Sequence, residues 1–304
     1  MTFAGVALGC GNFGGVGSSP AFFGQGTDEE AAFAIMDAAW ARGIRWFDTA
    51  DAYGGGRSEE WIGRWRADRG AEDLVVTTKV FHPDPGDPTR GLAPDRIRRR
   101  VVRSLERLGV ERIDLYLAHE PDSETPLGAT IATFEELVEE GLIAAWGLSN
   151  YDVNGIREAL AHGRPALVQN SYSLLNRGDE EEVLPLCAEE RIAYVPFGPL
   201  EGGWLTGKYR RGEPFPAGSR MTQRPEPYER LVDDHVFDGL DRLAEEAERR
   251  GVDMATLAFA WVLSHPAVTG AVCGPGRPEH LEPVLAALDV ELSPDEREQI
   301  GSFW

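Results

Sequence analysis

Short apolar runs alternate with longer amphipathic segments from one end of this chain to the other, and that alternation limits the folds open to it. Candidate strands lie over 6–8, 44–47, 74–78, 113–117, 144–147, 166–169, 193–197 and 268–272, eight runs rich in Val, Ile and aromatic residues. Helical patterns stand between them. One is DEEAAFAIMDAAWARG, opened by Thr27 and Asp28 as N-cap and closed by Gly43; another is PDRIRRRVVRSLERLG, closed by Gly109. Strands that alternate with helices pair in parallel through helical crossovers. Eight such units in 304 residues suit a (β/α)8 TIM barrel, which needs about 250 residues plus insertions. A doubly wound sheet is the rival. No composition shift marks a domain boundary, so one domain is expected over 1–304, with a long insertion at about 201–227 that is rich in Gly, Pro and Arg. A loop of that length after the seventh strand is expected to be functional and weakly ordered when empty.

Composition narrows the partners. Asp plus Glu outnumber Lys plus Arg by 51 to 30, a formal net charge of −21, which repels phosphate backbones and anionic membranes. Nucleic acid and membrane are therefore not expected as partners. Cys10, Cys187 and Cys273 are too few and too scattered for a disulfide framework. The start, MTFAGVALGCG, has neither the basic nor the apolar segment of a signal peptide, and no run approaches the ~20 apolar residues of a membrane span. A cytoplasmic protein is the expectation.

On a barrel, chemistry belongs at the C-terminal ends of the strands. Asp48 closes the second candidate strand and Tyr53 lies in the loop above it; Lys79 ends the third and His119 the fourth. Singly these are a turn former, a snorkelling lysine and a structural histidine. Together they make a proton-transfer set. Lys79 beside Tyr53 would favour the phenolate and lower a pKa that is ordinarily about 10, Asp48 would hold Lys79 charged, and His119 would orient a substrate oxygen or relay a proton. Gly9-Cys-Gly11-Asn-Phe-Gly14 fits the dinucleotide fingerprint G-x-G-x-x-G, but Gly15, Gly17 and Pro20 follow it, so no helix starts there to face a pyrophosphate. There is no nucleophile elbow and no metal-binding pair; His119 and Glu120 are adjacent on a strand end and point to opposite sides.

FDTADAYGGGRSEE, with TK at 78–79, HEPD at 119–122, GLSN at 147–150 and QNSYSLLNR at 169–177, resembles the aldo-keto reductase family, and most of all its bacterial branch, which is similar to the potassium-channel β-subunits. The resemblance covers almost the whole chain. It implies a TIM barrel, a nicotinamide cofactor held without a Rossmann domain, and the tetrad Asp48, Tyr53, Lys79 and His119, with Tyr53 the general acid in carbonyl reduction. It also implies that Ser149, Asn150 and Gln169 hold the carboxamide and that Tyr172 stacks on the nicotinamide ring. Gly11 and Asn12 touch the cofactor, and Gly198, Pro199, Leu200, Gly203 and Lys208 belong to a pyrophosphate-wrapping loop. Glu201 stands where the family has a small residue and is expected to point away from the phosphates. Gly274, Arg277 and His280 match the adenosine-phosphate segment, although Pro283 and Val284 replace its usual Glu-Asn pair.

Arg277, Lys208 and Arg220 are the local cations that favour NADPH over NADH. Phe22, Phe23, Phe81 and Trp204, with Tyr53, are expected to line a pocket for a small carbonyl or sugar substrate, and no metal is expected. The family's usual N-terminal hairpin under the barrel has no counterpart before the first strand, so another segment is expected to cover the floor. The reading is an NADPH-dependent reductase of an aldehyde or ketone. Its alternatives are an NAD(P)-dependent sugar or alcohol dehydrogenase running in the oxidative direction, and a cofactor-sensing subunit with little turnover.

Overall fold

The computed structural model describes residues 5–304, and the short start before the first strand lies outside them. The described residues hold eight strands: β1 (Gly5–Gly9), β2 (Trp46–Asp48), β3 (Val75–Val80), β4 (Leu115–Ala118), β5 (Trp146–Ser149), β6 (Leu167–Gln169), β7 (Ala193–Tyr194) and β8 (Gly270–Cys273). Neighbours in sequence pair in parallel, and β8 pairs with β1. Thr269 N donates to Tyr194 O at 2.9 Å and Val272 N to Pro196 O at 2.8 Å, which brings β8 back to β7 and closes the (β/α)8 barrel.

Helices α1 (Glu29–Ala41), α2 (Arg57–Arg69), α3 (Pro94–Leu108), α4 (Leu127–Glu139), α5 (Val153–Leu160) and α6 (Val183–Glu189) follow the first six strands in turn. Asp28 and Asp152 cap α1 and α5 through their side chains, and glycines in left-handed conformation end α2 and α3. After β7 come the one-turn α7 (Arg220–Gln223), then α8 (Asp234–Arg250) and α9 (Met254–Leu263); α10 (Leu281–Ala286) and α11 (Pro294–Gly301) follow β8. No helix among the described residues is long and apolar enough to cross a membrane.

Strand alternation divides the core in two. The outward side chains pack against the helices, among them Val6, Leu8, Phe47, Val76, Tyr116 and Leu148. The inward ones, including Ala7, Trp46, Leu115, Leu117, Leu167 and Val195, fill the barrel. Two residues further along each inward row lie Asp48, His119, Gln169 and Phe197, so the period of the strand carries polar groups and one aromatic to the rim.

The insertion is not the patternless loop that its composition implies. Residues 201–206 form a 3-10 turn, and the fully buried Trp204 packs against Tyr209, Phe237 and Phe215 at ring-centroid distances of 5.0, 5.6 and 6.3 Å. Leu205 and Met221 are buried beside them. These aromatics give the segment a core of its own, which removes Trp204 from the expected substrate wall.

Candidate active site

Asp48 and Lys79 form a buried ion pair, with Nζ 2.5 Å from Oδ1. The second Asp48 oxygen accepts from Gln169 Nε2 at 2.8 Å, and Lys79 Nζ also donates to Thr49 O at 2.8 Å. Gln169, expected at the carboxamide, thus gives one of its two amide N–H groups to Asp48. Lys79 Nζ lies 5.3 Å from the centre of the Tyr53 ring, and Tyr53 Oη lies 3.5 Å from His119 Nε2. The structure therefore brings Asp48, Tyr53, Lys79 and His119 into one cluster at the mouth of the barrel.

Electrostatics set the protonation of Lys79, Tyr53 and His119. Burial alone would lower the pKa of Lys79, but Asp48 and Tyr53 outweigh it and raise the value above 10.5, so the ammonium stays charged. For Tyr53 the balance is the reverse of the sequence expectation. Burial raises its pKa above 10.0, Lys79 opposes with a smaller effect, and Asp48 adds to the rise. The phenol is held as the acid, not as the phenolate. Burial, then the positive charge of Lys79, then His82, drives the His119 pKa well below 6.5, so its imidazole is neutral. His119 Nδ1 is buried without a hydrogen-bond partner. A bare acceptor costs less there than an unpartnered N–H, which puts the ring proton on Nε2, beside the Tyr53 hydroxyl.

The neighbouring rim residues divide. Ser149 is buried at the end of β5, and the exposed Asn150 follows it with φ 64°, donating to His119 O at 2.9 Å and so tying two strand ends together. Gly11 approaches the Tyr53 ring; a Cβ there would sit 3.5 Å from its edge. Phe23 lies beside Gly55, just past Tyr53, and Phe22 lies under Arg224 at 5.5 Å. Phe81 packs on His82, and it is His82 whose ring meets His119, at 4.8 Å. His82 was missed in the sequence.

Tyr172 does not face the site. It is fully buried on the outer side, stacked on Trp261 at 5.5 Å, with its hydroxyl between Glu180 and Arg297 at 2.5 Å each. Gln169 points inward, so the side chain three positions on points out. The half-buried aromatic that does stand on the inward row is Phe197, two residues past Val195 and beyond the end of β7.

Three cations gather beyond this cluster. Burial lowers the Lys208 pKa, and the positive charges of Arg220 and Arg277 lower it further. Arg220 reaches across to Asn12 Oδ1, and Arg277 Nε is 2.9 Å from His280 Nε2. Among the described residues none of the three cations has a carboxylate partner, in a chain with 51 acidic residues. Gly203, at φ 95°, adopts a conformation that favours glycine, and the ammonium end of Lys208 occupies the place where its side chain would start. Glu201, whose pKa burial raises, is turned onto Ser173 at 2.9 Å and Arg230 at 2.6 Å. Gly198, Pro199 and Leu200 lead from β7 into this loop, and Gly274 follows β8 beside Gly9. An uncompensated positive cluster next to a rim of amide and hydroxyl groups fits a dinucleotide with several phosphates.

A model of the aldo/keto reductase family matches residues 6–304. The chain belongs to that family. A protein named NADH-specific methylglyoxal reductase from Escherichia coli is 34% identical over 91% of this chain and 88% of its own length. A probable voltage-gated potassium channel subunit beta from Arabidopsis thaliana is 31% identical over 88% of this chain and 85% of its own. Among solved structures, a glycerol dehydrogenase from Gluconobacter oxydans superposes with a TM-score of 0.85 at 29% identity, over 98% of this chain and 90% of that one. As an aldo/keto reductase the chain is an NAD(P)H-dependent oxidoreductase, of a family that acts on small carbonyl compounds.

The electrostatic balance makes a direct prediction. In the cofactor-free protein the Tyr53 phenol should remain protonated past pH 10.0, and His119 should remain neutral at pH 6.5 and below. Ring-carbon and ring-nitrogen NMR titrations read both groups. A Tyr53 that ionises below pH 10.0 would show that Lys79 prevails over burial.

Proposed function

We propose that this aldo/keto reductase works in the reductive direction on an aldehyde or ketone, prefers NADPH, and uses Tyr53 as its general acid. The observation that carries the reading is the phenol of Tyr53, kept protonated by burial and standing 3.5 Å from His119 Nε2 above the charged Lys79. A carbonyl oxygen placed between Tyr53 Oη and His119 Nε2 receives two hydrogen bonds, and both strengthen as negative charge builds on it. The Tyr53 O–H bond then breaks and its proton passes to the substrate oxygen, while Lys79 stabilises the phenolate left behind. When bound, the nicotinamide cofactor supplies the hydride to the carbonyl carbon. Ser149 and Asn150 are the rim groups we assign to its carboxamide, Phe197 to the nicotinamide ring, and Lys208, Arg220 and Arg277 to its phosphates.

The name of the Escherichia coli relative points to NADH. Against that, Arg277 and Lys208 form a positive pair that a 2′-phosphate would neutralise. The name of the Gluconobacter oxydans structure favours the second reading, oxidation of an alcohol. That direction needs Tyr53 as a phenolate base, which its raised pKa disfavours near neutral pH. A cofactor-sensing subunit would show little turnover in either direction.

Turnover of an aldehyde panel with NADPH and with NADH separates the three readings. Replacing Tyr53 by Phe should lower turnover by about 10²–10⁴-fold with cofactor affinity nearly unchanged. Near-normal reduction by that variant would remove Tyr53 from its role. Arg277→Ala should weaken NADPH binding about ten- to a hundredfold, the value of a charge-assisted phosphate contact, and hardly affect NADH. Equal losses for both cofactors would mean that Arg277 does not read the 2′-phosphate.

A further inference from the structure

Helix α3 buries the wrong residues for a barrel helix. Arg96, Arg100, Arg103 and Arg107 recur at steps of four, three and four, one stripe of a helix, and a charged stripe ordinarily faces water. Here Arg96 and Arg100 are 2% and 1% exposed, and the Arg107 side chain is 13% exposed. Their partners come from the two rim loops that flank the cluster and from the first turn of α2. Arg100 Nε donates to Asp51 Oδ2 at 2.7 Å, and its Nη1 lies 2.8 Å from Asp84 Oδ2. Arg107 donates through Nη1 to the backbone oxygen of Asp51 at 2.8 Å and lies 3.2 Å from Glu59 Oε2; its Nη2 reaches Asp84 Oδ2 at 2.8 Å. Arg96 Nη2 donates to His82 O and to Thr89 O at 2.9 Å each.

Asp51 is the hub. Its N–H donates to Lys79 O at 3.0 Å, its carbonyl accepts from Arg107 and its carboxylate from Arg100. Tyr53 is two residues on. Gly54, Gly55 and Gly56 follow it and offer no side chain to pack; the turn is held by backbone bonds, Tyr53 N to Ala50 O at 3.1 Å and Gly55 N to Ala52 O at 3.0 Å, and by Arg57 on the Gly54 carbonyl at 3.3 Å, and the side chains of α3 add its tie to the neighbouring loop. Gly56, at φ 101°, is where the Arg107 guanidinium passes beneath; a Cβ there would fall 2.5 Å from Cζ. One flat guanidinium thus holds the turn from below and joins it, through Asp84, to the loop whose His82 ring meets His119.

We propose that this arginine ladder is a positioning element of the active site, and that Arg107 is the residue that sets the Tyr53 hydroxyl against His119. The planar fork matters because three acceptors lie around it, and an ammonium is a point charge that cannot span them. The proposal rests on Tyr53 being the proton donor in the reading above.

The test is Arg107→Ala in the full chain, with and without guanidinium chloride at a non-denaturing concentration. A displaced Tyr53 should lower kcat about 10- to 100-fold, with KM on a small aldehyde little changed. The ring-nitrogen signal of His119 Nε2 should move in the cofactor-free protein. Guanidinium ion should recover both, and the same concentration of sodium chloride should recover neither. A variant that was merely destabilised would be harmed further by guanidinium. An unchanged kcat, or a loss without movement of the His119 signal and without rescue, would overturn the proposal. Should Arg107→Ala fail to fold, Arg107→Lys keeps the charge and loses the fork; it should show the same fall in kcat and the same His119 shift, and a wild-type kcat in that variant overturns the proposal equally. If the unaltered chain reduces no carbonyl, the functional reading fails, and the His119 signal alone decides whether Arg107 places Tyr53.

Discussion

The site depends on an ion pair buried where an isolated charge could not stand. Taking a carboxylate and an ammonium out of water costs several kcal/mol each, and their attraction repays this only when the remaining lone pairs and protons are also satisfied. Gln169 and the carbonyl of Thr49 supply those contacts to Asp48 and Lys79. With the pair complete, a permanent positive charge sits under the ring of a buried phenol. That charge is not strong enough to ionise Tyr53 in the resting protein. It becomes useful when the phenol gives up its proton and the oxygen turns negative. The pair therefore acts on the charge that develops during reaction, more than on the ground state.

Two further charge systems surround this one in a strongly acidic chain. On the open side, Lys208, Arg220 and Arg277 face one another without carboxylates, and their mutual repulsion is a cost that an anionic ligand would relieve. On the closed side, the arginines of α3 meet Asp51, Glu59, Asp84 and Asp87 in pairs. The first system is unbalanced and suits a charged visitor. The second is balanced and suits a brace. Exposure follows the same division: Arg96 and Arg100 are buried, whereas Lys208 and Arg277 are exposed.

Much of this was legible in the sequence. Asp48, Lys79 and His119 could be placed because each ends an apolar run and the strand period carries it to the rim. The errors have physical causes. Tyr172 was assigned by its motif, whereas counting from the inward Gln169 turns it outward, and the same count from the inward Val195, just past β7, turns Phe197 in. Trp204 was taken for a loop residue on composition, because aromatics at 204, 209, 215 and 237 have no common period and meet only in the folded chain. The arginine stripe of α3 was visible at its four-three-four spacing but reads as a solvated face until its acidic partners, from 51 to 87, are brought beside it. The direction of the Tyr53 pKa shift depended on depth of burial, which no local pattern encodes.

The central claim is that the Asp48–Lys79 pair is present for reaction and not for stability, and the replacement of both by uncharged residues tests it most directly. In Asp48→Asn with Lys79→Met, an amide oxygen remains for Gln169 and no buried charge is left unpaired. Equilibrium unfolding and single-turnover carbonyl reduction would be measured on the same protein. The account predicts stability within about 3 kcal/mol of the parent, since removing two buried charges offsets the donor that the Thr49 carbonyl loses, with the reduction rate lowered by at least about 10²-fold. A folded double variant that reduces the substrate at close to the parent rate would contradict it.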